Sequence, residues 1–355
     1  MTIKSFSADL YNYNYHYNSD PKNKLISSLQ DLITDAKDFF LSRLKNLDER
    51  EFSATSIKGV TAKDKKTYLV SQCEKIITES EKAIIQYQVN RDVNGFNLFY
   101  DIFFPHNKAS DAANIKDVIP ENFYRMRTAD TYLRYNRRDI FIISEEKDSL
   151  VSRARFNDEG QPCLYLAANL FTAWEECRRP NFNLVNFSRF HREMPLKVMS
   201  INIIPRMKTL GDFIMGFFTI LCSMKVVDDE EKYKFQYAVP NLFMKSLCTN
   251  IQHSGGIDGI SYLSSRRFEC NDFLFNSNMI DSNLYVFPPR KVGPDGICEK
   301  LAKKFKLTEP RTFFLYKVHR FPFDMSMAKI SEYNDSLFAE IERQLKNEDL
   351  GYYND

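Results

Sequence analysis

From residue 25 the apolar positions Leu25, Ile26, Leu29, Leu32, Ile33, Ala36, Phe39, Phe40 and Leu44 recur three and four residues apart. That spacing gathers them on one side of a helix and predicts an amphipathic α-helix. A polar connection over residues 46–65 follows, and Leu69, Val70, Cys73, Ile76, Ile77, Ile84 and Tyr87 then mark a second long helix. Two such helices bury their stripes on each other and on the next part of the chain, so structural support is their expected role. Ahead of them, residues 5–20 alternate Tyr11, Tyr13, Tyr15 and Tyr17 with Asn and His. This stretch reads as a loosely ordered terminus, with an edge strand or docking arm as the alternatives.

The pattern changes after residue 90 to an aromatic cluster, Phe96, Phe99, Tyr100, Phe103 and Phe104, ending at Pro105. A domain boundary is placed near residue 115. Residues 122–127 read as a strand carrying Arg125 and Arg127, followed by a polar loop with Arg134, Arg137 and Arg138. The β-branched run 139–143 predicts another strand or a buried connection. Asp158-Glu-Gly160 is a turn signal, because glycine takes the positive φ that other residues resist. The breaker-free run 163–167 then predicts a buried strand, and Asn169 sits where a helix N-cap belongs. A short helix over 170–177 is stopped by Pro180. On its wheel Leu170, Ala173, Trp174 and Cys177 share a face, with Glu176 at the flank and Glu175 almost opposite. Glu176 is therefore the expected half-buried acid.

Beyond Pro180 a loop is expected to carry Arg189, His191 and Arg192, and residues 196–204 alternate as a strand. Residues 213–224 predict a core helix, 237–247 a helix opened near Pro240, and 254–256 a turn. If 260–265 is extended, Ser264 and Ser265 look to opposite faces, so one of them can face a pocket. A strand over 283–287 ends at Pro288. A helix over 298–305, a strand over 312–318 and an amphipathic helix through Ile330, Tyr333, Leu337, Phe338, Ile341 and Leu345 complete the reading.

Composition narrows the function classes. In 355 residues, 43% hydrophobic, a large core is available, and 49 basic against 47 acidic residues give a formal charge of only +2. Such a balance exerts no general pull on nucleic acid or on an anionic membrane. The seven cysteines are scattered without a CxxC, which favours reduced thiols in a cytoplasmic protein, with Cys163 and Cys177 as small core residues. No two of the five histidines are spaced as a metal-ligand pair, so no metal site is expected. Met1 to Ser5 lacks the apolar region of a signal peptide, and the longest largely apolar run, 213–222, is about half the roughly 20 residues of a spanning helix. No G-x-G-x-x-G opens a helix, so a Rossmann dinucleotide site is not indicated.

Several blocks together are more specific than any one of them. Arg155-Phe-Asn-Asp-Glu-Gly160, Leu164-Tyr-Leu-Ala167 and Thr172-Ala-Trp-Glu-Glu176 occur in that order, preceded by Phe123-Tyr-Arg125 and followed by Asp258-Gly-Ile-Ser-Tyr-Leu-Ser-Ser-Arg266 and Asn283-Leu-Tyr-Val-Phe287. This series resembles the RES domain, a family named for an arginine, a glutamate and a serine. The resemblance implies an α+β fold with an ADP-ribosyltransferase-like mixed sheet core. It divides the chain into an N-terminal helical region (1–115), a RES-like NAD-cleaving domain (116–295) and a C-terminal extension packed on that core (296–355).

The activity implied is breakage of the nicotinamide-ribose bond of NAD, with NAD as substrate and no cofactor. Glu176 would steady the oxocarbenium-like centre, because a carboxylate beside a developing positive charge stabilises it. Arg155, by alignment, and Arg125 as second choice would hold the pyrophosphate in forked, bidentate fashion. Tyr165 would stack on a ring or bond a ribose, and Ser264, the serine that aligns best, would orient the nicotinamide ribose. Water as acceptor makes a glycohydrolase and inorganic phosphate a phosphorylase. Family members commonly act as the toxin of a toxin-antitoxin pair, so an antitoxin protein is an implied partner, with no membrane and no direct nucleic-acid binding. Two other readings stand beside this one: ADP-ribosylation of a macromolecule, and a non-catalytic interaction protein with a vestigial NAD pocket.

Overall fold

The structure is a computed structural model that describes residues 1–19, 28–53, 61–90, 92–128, 135–143, 149–204, 206–224, 235–253, 256–265, 281–289, 298–313 and 333–355. In chain order the helices are α1 (Ile3–Ser19), α2 (Leu29–Lys45), α3 (Ala62–Gln88), α4 (Val93–Phe103), α5 (Arg137–Phe141), α6 (Leu170–Glu176), α7 (Leu210–Cys222), α8 (Ala238–His253), α9 (Glu299–Ala302) and α10 (Leu337–Leu345). The strands are β1 (Ile115–Asp117), β2 (Asn122–Thr128), β3 (Leu164–Ala167), β4 (Val185–Arg192), β5 (Lys197–Ile201), β6 (Gly259–Leu263), β7 (Asn283–Phe287) and β8 (Phe305–Leu307). The protein is thus α+β, with parallel and antiparallel strand pairs and an N-terminal helical region.

Local chemistry starts most helices where the sequence signals them. Side-chain oxygens of Ser28, Thr61, Asp92, Asn169 and Ser336 each accept an N–H of the first helical turn. Capping boxes open α5, through Asn136 and Asp139, and α7, through Thr209 and Asp212. Each cap meets N–H groups that the helix itself cannot satisfy. Gly160 sits at φ 74°, as its turn requires.

The chain forms two compact units by packing. The first consists of Met1–Lys116, Ala154–Phe156 and Val198–Glu269. The apolar stripes of α1 and α2 meet α7, with Phe6 against Phe40 at 5.4 Å and Phe40 against Phe217 at 5.6 Å. Farther along, Phe99, Phe103, Phe218 and Phe243 form a mutual edge-to-face cluster with ring centroids 4.9–6.2 Å apart. The backbones of α3 and α4 approach so closely at Gly95 that an added Cβ would lie 2.4 Å from the Tyr87 nitrogen. In the same unit β5 runs parallel to β6, Met199 opposite Ile260 and Ile201 opposite Tyr262.

The second unit consists of Asp117–Arg153, Asn157–Lys197 and Cys270–Asp355. Its five strands lie in the order β7, β3, β2, β4, β8, all antiparallel. Helix α10 packs on α6, with Phe338 meeting Phe171 at 5.3 Å and Trp174 at 5.5 Å.

Four expectations are corrected. Residues 3–19 form a helix and not a loose terminus, because Ile3, Phe6 and Leu10 recur at helical spacing beneath the tyrosine alternation and are buried. The stretch read as a loop with Arg189, His191 and Arg192 is the strand β4, paired along β2 from Asn122–His191 to Thr128–Val185. The strand option for 139–143 gives way to α5, whose capping box outweighs β-branched propensity, although Ile140, Phe141 and Ile142 are buried as a connection would be. The helix expected over 298–305 ends at Ala302, and Phe305 already pairs with Arg192. Leu25, Ile26, Arg134, Ser254, Arg266, Ile330 and most of the strand expected at 312–318 lie outside the described residues.

Candidate functional site

The candidate residues divide between the two units, Arg155 and Ser264 in the first and Arg125, Tyr165 and Glu176 in the second.

In the first unit Phe156 is fully buried, its ring 4.5 Å from that of Tyr262 on β6. This anchors the short segment that carries Arg155. The Arg155 guanidinium donates to the Cys222 carbonyl (2.8 Å) and the Met224 carbonyl (3.0 Å), where α7 ends, and to Ser265 Oγ (3.0 Å). It also lies over the Tyr237 ring at 5.4 Å. Arg155 therefore ties a helix end to the end of β6, using the forked donors that only arginine offers. Strand β6 stops at Leu263, so strict face alternation no longer decides between the two serines. Ser264 is fully buried, and the hydroxyl that meets Arg155 is that of Ser265.

In the second unit Arg125 and Arg127 stand two residues apart on β2 and so share a face. Arg125 Nη1 donates to the Tyr165 carbonyl at 3.1 Å, and the Tyr165 hydroxyl donates to Asn157 Oδ1 at 2.8 Å. Burial, and then the neighbouring Arg127 charge, pushes Arg125 well below the ordinary arginine range, and burial lowers Arg127 too. Among the described residues Arg125 Nε and Arg127 Nη2 are buried and meet no acceptor. A guanidinium in that state favours an incoming anion, because an unmet buried donor carries a desolvation cost that the anion removes.

The glutamate pair reverses its expected burial. Glu175 is 2% exposed, whereas Glu176 is exposed and not half-buried. The reason lies just past the helix, where Arg178 and Arg179 take positive φ values of 64° and 53° and fold the chain back. That places Arg179 Nε 2.8 Å from Glu175 Oε1 and its guanidinium 5.7 Å from the Trp174 ring centre. Trp174 Nε1 donates to the Pro180 carbonyl at 3.0 Å, closing the turn. Glu175 thus serves an internal ion pair, and Glu176, the last residue of α6, is the carboxylate presented outward. Of the cysteines expected in the core, Cys163 is buried but Cys177 only half-buried, its thiol pushed up to about 11 by burial.

Asn157 and Ser265 lie inside the motif blocks quoted above, but the sequence did not assign them their contacts with Tyr165 and Arg155, and nothing marks Tyr237. Among the described residues no group of three or more His, Cys, Asp or Glu side chains is placed to hold a metal ion. No helix there is long and apolar enough to cross a membrane.

Parallel and antiparallel strand pairs together with an N-terminal helical region define an α+β protein. Residues 123–293 match the family model described as the RES domain. The family is NAD-related. No curated protein and no solved structure matches the chain.

Proposed function

We propose that the protein cleaves the nicotinamide-ribose bond of NAD. The observation that supports this reading is the RES match over residues 123–293, which contains Arg125, Arg155, Tyr165, Glu176 and Ser264. In the reaction the C–N bond breaks with its electron pair leaving on nicotinamide. Because the departing ring is cationic before cleavage and neutral after it, no strong general acid is needed. The oxygen of water or of inorganic phosphate then bonds the ribosyl carbon and loses a proton to solvent.

Glu176 is assigned the developing positive charge of the ribosyl centre, where a fixed carboxylate acts most strongly. Arg125, with its unmet buried Nε, takes a pyrophosphate oxygen. Arg155 differs in that three of its bonds go to its own chain, so it shapes the ground around Ser264 and Ser265 as well as offering charge. Tyr165 is oriented by Asn157 and bonds or stacks on the substrate. The same reading makes the protein a toxin or defence effector that depletes NAD, with an antitoxin as the partner that covers the site.

The deciding experiment incubates NAD with the protein and with Glu176→Gln, with and without phosphate, and weighs the products. Loss of a positioned carboxylate is expected to lower turnover on the order of 10²-fold or more. ADP-ribose marks water as acceptor, and a product heavier by phosphate marks phosphorolysis. Equal turnover by the variant removes Glu176 from the mechanism, and label on a protein substrate moves the activity to ADP-ribosyl transfer.

A further inference from the structure

Helix α6 presents Glu176 at its C-terminal end, and its N-terminal end is closed by residues that lie outside the RES match. A buried helix start leaves N–H groups that must find acceptors or carry the cost of being unmet. Here the N–H groups of Leu170, Thr172 and Ala173 each have one. The Thr172 N–H donates to Asn169 Oδ1 at 2.8 Å, and the Ala173 N–H to the Asn169 carbonyl at 3.2 Å. The first is met from far along the chain. The Leu170 N–H donates to Glu342 Oε1 at 2.6 Å. The Tyr333 hydroxyl in turn donates to Glu342 Oε1 at 2.6 Å.

Helix α10, which carries Glu342, is itself fixed at both sides. Arg189 on β4 donates through Nε to the Leu345 carbonyl at 2.9 Å, where α10 ends, and through Nη1 to Asn122 Oδ1 at 2.9 Å. Phe338 packs on Phe171 and Trp174 of α6 and on Phe313. A continuous chain of contacts therefore runs from the β2–β4 pair through α10 to the first turn of α6. All of these residues belong to the second unit. Keeping a carboxylate so buried is unfavourable unless its acceptors are used, and Glu342 uses them on the amide and the phenol.

We propose that Glu342, with Tyr333, is a positioning residue for the NAD-cleaving site: it sets the seat of α6 and through it the placement of Glu176. The inference rests on the cleavage reading for its catalytic consequence, but its structural half stands alone. A helix of seven residues has under two turns with which to resist tilting, so its end contacts govern where its last residue points. A glutamine at 342 keeps an acceptor oxygen for Leu170, whereas alanine removes it.

The test compares full-length wild type, Glu342→Gln, Glu342→Ala and Tyr333→Phe by amide hydrogen exchange of residues 170–173 and by steady-state NAD cleavage. Glu342→Ala is expected to speed exchange at those amides by roughly tenfold or more, the scale of a lost bond to a charged acceptor. Its kcat is expected to fall by a similar factor with KM nearly unchanged, and Glu342→Gln to restore most of both. A general loss of fold would instead raise exchange in β2 and β4 as well; Tyr333→Phe, which leaves Glu342 in place, then decides by its exchange at residues 170–173 alone. Unchanged exchange there in both variants overturns the inference, as does faster exchange with undiminished kcat. A wild-type protein that leaves NAD intact overturns the cleavage reading only, because the exchange data still decide whether Glu342 seats α6.

Discussion

In the first compact unit the interior is ring against ring: Phe6, Phe40, Phe99, Phe103, Phe217, Phe218 and Phe243 meet edge to face beneath α1 to α4. Of its two buried carboxylates among the described residues, Asp212 and Asp258, Asp212 serves the capping box of α7 and pairs with Lys116 at 3.2 Å. In the second unit rings share the interior with charge, for Arg125, Arg127, Glu175, Arg189 and Glu342 are all desolvated or enclosed within or beside its five-stranded array. Apolar area stabilises in proportion to its burial, whereas a buried charge costs free energy unless partners meet it. The first unit therefore rests mainly on buried rings, although it also carries Arg155 and Ser264. The second sets enclosed charges beside its rings, and it carries Arg125, Tyr165 and Glu176.

The comparison can be broken by substitution. The largest effect is expected from Phe218→Ala, which empties the centre of the ring cluster and should cost about 4 kcal/mol in chemical denaturation, as large-to-small changes of buried aromatics do. A loss under about 1 kcal/mol would mean that the rings are not the main support of that unit. Arg179→Ala comes next. It leaves the Glu175 carboxylate enclosed without its ion-pair partner, and because Arg179 is 47% exposed the expected loss is about 2 kcal/mol, below that of a fully enclosed pair.

Smaller effects sharpen the contrast. Asn136→Ala in the second unit and Thr209→Ala in the first each remove a capping box and should each cost about 1 kcal/mol, read as a shift in denaturation midpoint. Equal losses would show that helix caps act alike in both units and that only the core chemistry differs. The last effect depends on pH. Burial holds the Glu342 carboxyl above the usual carboxylate range, so the folded protein keeps that proton more tightly than the unfolded chain does. The stability this supplies is complete below the unfolded glutamate value, about 4.3, and is lost as pH rises through the folded value. Tyr333 and Tyr124 face this group, with Lys346 and Arg343 on its own helix favouring the charged form. Wild type should therefore lose stability relative to Glu342→Gln as pH rises across that window; parallel pH profiles would contradict the linkage.

Much of the fold was legible because apolar spacing and caps are local signals. The stripes of α2 and α3, the order turn, strand, Asn169 cap and short helix, and the core helix α7 all stand where periodicity puts them. The misreadings share one cause, which is tertiary context overriding local pattern. Arg189, His191 and Arg192 look like a polar loop until β2 supplies a paired neighbour and α10 supplies carbonyls for Arg189. The tyrosine alternation of α1 hid the deeper repeat of Ile3, Phe6 and Leu10. At the candidate site, a wheel alone misjudged the burial of the two glutamates on α6. The left-handed residues Arg178 and Arg179 and the returning guanidinium decide that only Glu175 is enclosed. Tyr333, expected on the amphipathic helix, lies in a 3-10 turn, Tyr333–Asp335, ahead of α10, and the contact of Glu342 could not be read at all, since 172 residues separate it from the amide it meets.

That separation bears on the order of events during synthesis. Leu170 and its helix leave the ribosome long before residue 342 is polymerised, so a nascent chain carries the Glu176 helix with the Leu170 amide still in water. Whatever chemistry depends on a settled α6 is withheld from the translating cell until α10 folds back onto it.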